Sequence, residues 1–233
     1  MSLDRKLGVT PGVATGVALL SQSSLDALLP YRKPETFHSF GRSSKISWWQ
    51  GSEGSFLTTE CVPISPLPTS LICSAMPTTI ERISPNEWLL DGSHLSPTRV
   101  LRTPFIPKVL PHLTVSPGIE NQLRKNVGRG PGLTPESDDV LVGFLLAARS
   151  LGVDHTLTSS DWNPTRTTSF SSALLNAAFR GYAISTVQLA VHELRVHGSI
   201  VKTRSELKDV GSSSGAAMLL GMELAGDSAR RAA

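Results

Sequence analysis

Between Gly128 and Asp139 the chain reads Gly-Arg-Gly-Pro-Gly-Leu-Thr-Pro-Glu-Ser-Asp-Asp, and the run that follows, Val140 to Ala148, is apolar throughout. Glycines at alternate positions open the backbone to positive φ and keep side chains away from its N–H groups. Thr134 reads as an N-cap with Pro135 at the first helical position, where the missing N–H costs nothing. The helix beyond has no polar face, which places it in the interior. A glycine loop feeding a buried helix N-terminus brings free N–H groups and the positive end of the helix dipole together, an arrangement suited to an anion. The same residues also serve as plain punctuation, with acidic first-turn residues merely complementing the dipole. Asp138 and Asp139 separate the two readings. Ionised carboxylates on a buried helix need a cleft or a partner such as Arg, Lys or a metal. A catalytic site requires one of them to line an open pocket, whereas a scaffolding role pairs them internally with Arg or Lys.

The stretches on either side differ in character. From His38 onward, short runs rich in β-branched and aromatic residues are separated by Gly, Pro and Ser: Ser39–Arg42, Lys45–Trp49, Ser55–Thr59, Ser70–Cys73, Glu87–Gly92 and Arg99–Leu101. Such spacing suits hairpins. Prolines at 104, 107, 111 and 117 then thin the pattern into an extended connection. Helical periodicity covers Ile119–Asn126, the run after the glycine loop, Ser171–Phe179 ending near Gly181, and Ser185–His197, with a short turn at Glu206–Lys208. The segment from Thr156 to Thr168 reads as a polar loop, and a short helix before Pro30 closes on Asp26–Leu29. The expected class is α+β, with a barrel- or sandwich-like β-rich N-terminal half followed by an all-helical C-terminal half. The expected divisions are an N-terminal segment over 1–34, a β-rich domain over 35–117, a helical domain over 118–225 and a frayed tail over 226–233.

A second small-residue loop, Gly211-Ser-Ser-Ser-Gly215, enters the apolar helix that contains Gly221. Gly143 and Gly221 occupy similar surroundings and would let their two helices pack closely. Arg166-Thr-Thr-Ser169 either clamps a carboxylate or phosphate or caps the next helix beside a solvated arginine. Several sharper motifs fail. No Gly-Lys-Ser/Thr follows the Gly128 loop, and Leu133 stands where a dinucleotide fingerprint needs its third glycine. The Gly211 loop matches a nucleophile elbow in form, but the last histidine, His197, lies upstream of it, against the order of that fold. His192 and His197 are five apart and leave the common face that zinc requires.

Of the 233 residues, 39% are hydrophobic and 18% charged, the composition of a globular chain, and the net charge is +3 with scattered Lys and Arg. No basic run with interleaved aromatics supports nucleic-acid binding. Cys61 and Cys73 make neither a disulfide framework nor a metal knuckle, so a cytoplasmic setting is the expectation. No apolar run approaches the length of a membrane span, and Val9–Leu20 is too short and too broken by Pro11 and glycines.

Gly-Pro-Gly-Leu-Thr-Pro-x-x-Asp-Asp before an apolar helix with an internal glycine resembles the signature of the AllH-type proteins. Arg166–Ser171 ahead of Leu174-Leu175, and Gly211–Gly215 leading to Gly221, support the resemblance. It covers roughly 38 to 224, strongly in the helical half. The resemblance implies a subunit of oxamate carbamoyltransferase in allantoin catabolism, which converts oxalurate and phosphate into oxamate and carbamoyl phosphate with two other subunit types. Non-catalytic regulation or scaffolding in such an enzyme is the alternative. Mapped onto this chain, Asp138 and Asp139 would be catalytic, and Gly130, Gly132, Thr134, Arg166, Ser169 and Ser214 would bind the small anionic substrate and phosphate. If a metal such as Mg²⁺ takes part, Asp138 and Asp139 are its ligands. The chain departs from the family pattern at Glu136-Ser137, where Ser-Gly is usual, and at Ser212, where histidine is frequent.

Overall fold

The computed structural model describes residues 18–19, 31–42, 46–52, 55–60, 70–72, 76–85, 87–95, 99–100 and 105–232. The short helix expected at Asp26–Leu29, and Cys61 and Cys73, lie outside them. The chain divides into two compact units, residues 1–102 and 103–233. The first is β-rich and the second helical, so the class is α+β.

Unit 1 holds β1 (Ala18–Leu19), β2 (Glu35–Arg42), β3 (Ile46–Gly51), β4 (Phe56–Glu60), β5 (Ser70–Ile72), β6 (Ile80–Ser84), β7 (Glu87–Leu90), β8 (Ser93–Leu95) and β9 (Arg99–Val100). Seven of them form one sheet in the order β5-β4-β3-β2-β6-β7-β8. All neighbours run antiparallel except β4 and β5, and the sheet curls as a half-barrel rather than closing. Alternation buries one face: Phe37, Trp49, Leu57, Ile80, Trp88 and Leu90 have almost no exposure. Arg82 shares that buried face. Its guanidinium lies 5.3 Å from the Tyr31 ring centroid and 5.1 Å from that of Trp88. Aromatic faces and the Pro85 carbonyl, 3.0 Å from Nη2, replace the water it leaves. The β7–β8 hairpin turns on Asp91 and Gly92 with φ of 50° and 75°, as the sequence Asp-Gly favours in a two-residue hairpin loop.

Unit 2 is organised around a central helix. Its helices are α1 (Pro117–Asn126), α2 (Glu136–Leu151), α3 (Ser169–Arg180), α4 (Ser185–His197), α5 (Arg204–Lys208) and α6 (Ser214–Ala232). Strands β10 (Leu113–Thr114) and β11 (Val153–Asp154) form a small parallel pair. Leu141 through Ala148 are buried without interruption, as the all-apolar run requires. The expected close packing of the two glycine-bearing helices is present. A Cβ on Gly143 would lie 1.9 Å from the Met218 carbonyl oxygen on α6, and one on Gly221 would lie 1.9 Å from the Val140 oxygen on α2. Helix α4 spans the expected residues. Helix α6 runs on to Ala232, through the stretch expected to fray, and buries Ala225 and Ser228.

Two differences from the sequence-based expectation have physical causes. Helix α2 starts at Glu136 with Pro135 as its cap, one residue later than expected, because Pro135 supplies the carbonyl that accepts from Asp138 and Asp139 N–H. The polar stretch 156–168 contains a 3-10 turn, Ser159–Trp162, which delivers Trp162 to the core, where its indole N–H donates to Asn176 Oδ1 at 3.0 Å. Glu193 also behaves unlike a surface acid. It accepts from the N–H groups of Val201, Lys202 and Thr203 and from the Thr203 hydroxyl, at 2.7–2.9 Å. These donors, led by the Lys202 and Thr203 amides, hold its carboxyl down at about 2. The stability it contributes is present above the ordinary glutamate range and is lost as pH falls towards 2. Thermal unfolding against pH should therefore show Glu193→Gln lowering the midpoint at pH 7 by roughly a few degrees, with the gap to the native protein closing in acid.

Candidate functional site

The glycine loop, the N-terminus of α2 and the segment leading into α3 meet around Asp138. Gly128 takes φ +80°, and a Cβ there would fall 1.9 Å from the Arg166 carbonyl oxygen, so only glycine lets the two segments approach. Asp138, fully buried, ties them together. Its Oδ1 accepts from Gly128 N–H at 2.7 Å, and its Oδ2 accepts from Ser171 Oγ at 2.6 Å and from the Thr167 hydroxyl. The loop is closed further by Ser137 Oγ, which donates to the Arg129 carbonyl at 2.7 Å and accepts from Arg129 N–H at 2.9 Å. Gly128, Arg129 and Ser137 N–H groups, three of the donors that could face an anion, are thus engaged within the loop.

Asp139 has a different environment. It is 1% exposed, and its Oδ2 has no hydrogen-bond partner. Burial pushes its carboxyl up to about 6, against the pull of hydrogen bonds from Ser214 and Thr134, while the neighbouring Asp138 and Glu136 charges push the same way as burial. Thr134 Oγ1 and Ser214 Oγ lie 3.3 Å apart, so the hydroxyl that precedes α2 and the one that heads α6 meet at this carboxylate. A carboxyl group titrating near neutrality beside two hydroxyls is equipped to take or give a proton.

The other expected residues divide. Gly130 and Gly132 sit on the exposed part of the loop at φ of 124° and 94°. Arg166 is not aimed at the carboxylates. Its Nη1 donates to the Asp161 carbonyl at 2.8 Å and its Nη2 to the Arg124 carbonyl at 2.7 Å. Thr168 caps α3, accepting from Ser171 N–H at 3.0 Å, so this segment acts as a helix cap. Ser169 begins α3, and the hydroxyls that reach Asp138 belong to Thr167 and Ser171, two residues outside the expected set. The sequence does carry a signal for them, since a Ser/Thr cluster ahead of a helix offers donors as readily as caps.

As a cation site the pair fits poorly. Three donors already occupy the Asp138 oxygens, and Asp139 offers one free oxygen where Mg²⁺ asks for a nearly octahedral set. Among the described residues no cluster of three or more His, Cys, Asp or Glu is placed to hold a metal.

Fold and site together define an α+β chain whose helical unit carries a glycine loop locked onto two buried aspartates. Residues 126–226 match the family model described as oxamate carbamoyltransferase subunit AllH. That match runs from the glycine loop to α6, the stretch where the sequence resemblance is strongest. No solved structure matches the chain. No helix among the described residues is long and apolar enough to cross a membrane.

Proposed function

We propose that this chain is a subunit of a carbamoyl-transferring enzyme and that Asp139, with the Thr134 and Ser214 hydroxyls, handles a proton for a small anionic substrate. The observation that carries this reading is the buried carboxylate oxygen without a partner, inside the segment that matches the oxamate carbamoyltransferase subunit. In the reaction the family name implies, a phosphate oxygen bonds to the carbamoyl carbon of oxalurate. The bond from that carbon to the oxamate nitrogen breaks, and the nitrogen takes up a proton. A carboxyl group poised near 6 can supply that proton. The exposed end of the glycine loop, at Gly130 and Gly132, is the proposed cradle for the anion. Other subunits are the proposed partners, and a cytoplasmic setting goes with this role. A β-rich domain ahead of a helical domain that carries the glycine loop goes with the same role.

A second reading has its own support. Asp138 is consumed by internal hydrogen bonds, and cavities of about 350 Å³ and 260 Å³ in this unit are lined without either aspartate. Neither cavity supplies the open pocket at the aspartates expected of a catalytic site, and the Arg or Lys pairing expected of a scaffold is not there either, since Gly128, Thr167 and Ser171 are the partners of Asp138. Carbamoyl phosphate formation from oxalurate and phosphate, measured with the chain alone and co-expressed with the other two subunit types, separates the readings. The proposal expects activity in the complex that Asp139→Asn lowers about 100-fold. Activity unchanged by Asp139→Asn assigns the chain to scaffolding, and no product in any combination rejects the reaction. Raised unfolding temperatures with phosphate, oxalate, oxamate or carbamoyl phosphate would report binding independently of turnover.

A further inference from the structure

A cavity of about 350 Å³ in unit 2 lies at the far end of α2 from the glycine loop. Leu145, Leu157 and Phe179 give it apolar walls, and Lys108, Asp154 and His155 bring polar groups to it. Its size falls at the lower end of small-molecule sites, whose usual form is an apolar body with a few convergent polar groups. His155 is the unusual member. Its Nδ1 is buried and has no hydrogen-bond partner, although its ring is held near the Leu157 backbone and beside the Phe144 and Phe179 rings, at 6.0 and 6.3 Å between centroids. A buried imidazole nitrogen without a partner costs stability, and a turn of the ring that brought Nδ1 to the cavity would let an occupant complete it.

The charges around the cavity favour an anion. Lys108 is exposed at its edge, and Arg149 lies in its wall with its guanidinium turned to the Ile106 carbonyl at 2.7 Å and over the Phe105 ring. Asp154 is the one acid among the lining residues, which leaves the wall net positive while His155 is neutral. Burial lowers the His155 pKa, and Lys108 acts in the same direction, against Glu120 and Asp154. Glu120 is itself paired with Arg124 at 2.9 Å.

We propose that this cavity is a binding site for a small organic carboxylate, its carboxylate meeting Lys108, its apolar body resting on Leu145, Leu157 and Phe179, and its hydrogen-bonding group completing His155 Nδ1 once the ring turns that nitrogen towards the cavity. The site is separate from Asp138 and Asp139 and does not depend on the carbamoyl-transfer reading. The probes are acetate, lactate and benzoate, with inorganic phosphate for comparison, titrated into the full-length protein while the ¹⁵N resonances of the His155 imidazole are followed. At least one carboxylate should move those resonances saturably. Lys108→Gln should weaken that binding about fivefold, and Asp154→Asn should strengthen it by a similar factor. Both positions are exposed, so neither substitution threatens the fold. A carboxylate that binds with both variants unchanged, or a His155 imidazole that none of the carboxylates moves, overturns the proposal, as does phosphate binding there more tightly than every carboxylate.

Discussion

Gly143→Ala should cost about 3–4 kcal/mol and lower the unfolding temperature by more than about 10 °C, although alanine is the better helix former by about 1 kcal/mol. The added Cβ would stand 1.9 Å from the Met218 carbonyl oxygen and 2.7 Å from its carbon, and backbone atoms cannot rotate out of the way. Helices α2 and α6 would have to move apart along their shared length, which loosens the packing of Leu141, Phe144, Met218 and Met222 together. Gly221→Ala meets the Val140 carbonyl at the same distance from the other side, so the pair should cost less than the sum of its members. Gly132→Ala is the control: its Cβ meets nothing within 4 Å, and only its φ of 94° resists, at roughly 1 kcal/mol. Denaturant unfolding compares the three. If Gly143→Ala costs no more than Gly132→Ala, the close approach of α2 and α6 is wrong.

That contact is legible in the sequence because both helices carry an internal glycine in an apolar run, where any larger residue would bury more area and favour the helix. Helix α4 is equally clear from its apolar spacing. Strand β6 is not. Ile80-Glu-Arg-Ile-Ser lacks the alternation that marks a half-buried strand, since Arg82 takes a buried position and its stabilising partners, Tyr31 and Trp88, lie elsewhere in the chain. Trp162 is hidden for a related reason: the residues around it are polar, and its burial depends on Asn176 in a later helix. In the site, sequence pattern identifies the glycine loop and both aspartates but does not rank them. Their difference is set by which hydroxyls arrive from α3 and α6, a tertiary fact.

Neutralising the two adjacent aspartates should move stability in opposite directions. Asp138 accepts three hydrogen bonds and has no donor of its own to satisfy, so Asp138→Asn must turn an amide N–H₂ towards Gly128 N–H or towards the Thr167 and Ser171 hydroxyls. Losing a buried, charge-assisted set of this kind costs about 3 kcal/mol and frees the glycine loop from α3. Asp139 is the reverse case. Its pKa is raised from 3.8 to about 6, so the folded state holds a proton that the unfolded chain releases earlier. Its contribution to stability is complete below the ordinary aspartate value and declines as pH rises through about 6. Asp139→Asn stays neutral throughout and should gain about 2 kcal/mol at pH 7–8, while flattening the fall in stability between pH 4 and 6. Unfolding free energies for the two variants across that range test both signs at once. A stabilised Asp139→Asn protein whose complex has lost carbamoyl transfer would show that the fold keeps a destabilising carboxylate for the sake of chemistry. A destabilised one would mean that the hydrogen bonds from Thr134 and Ser214 outweigh the cost of burial, and Asp139 would then join Asp138 as a structural tie.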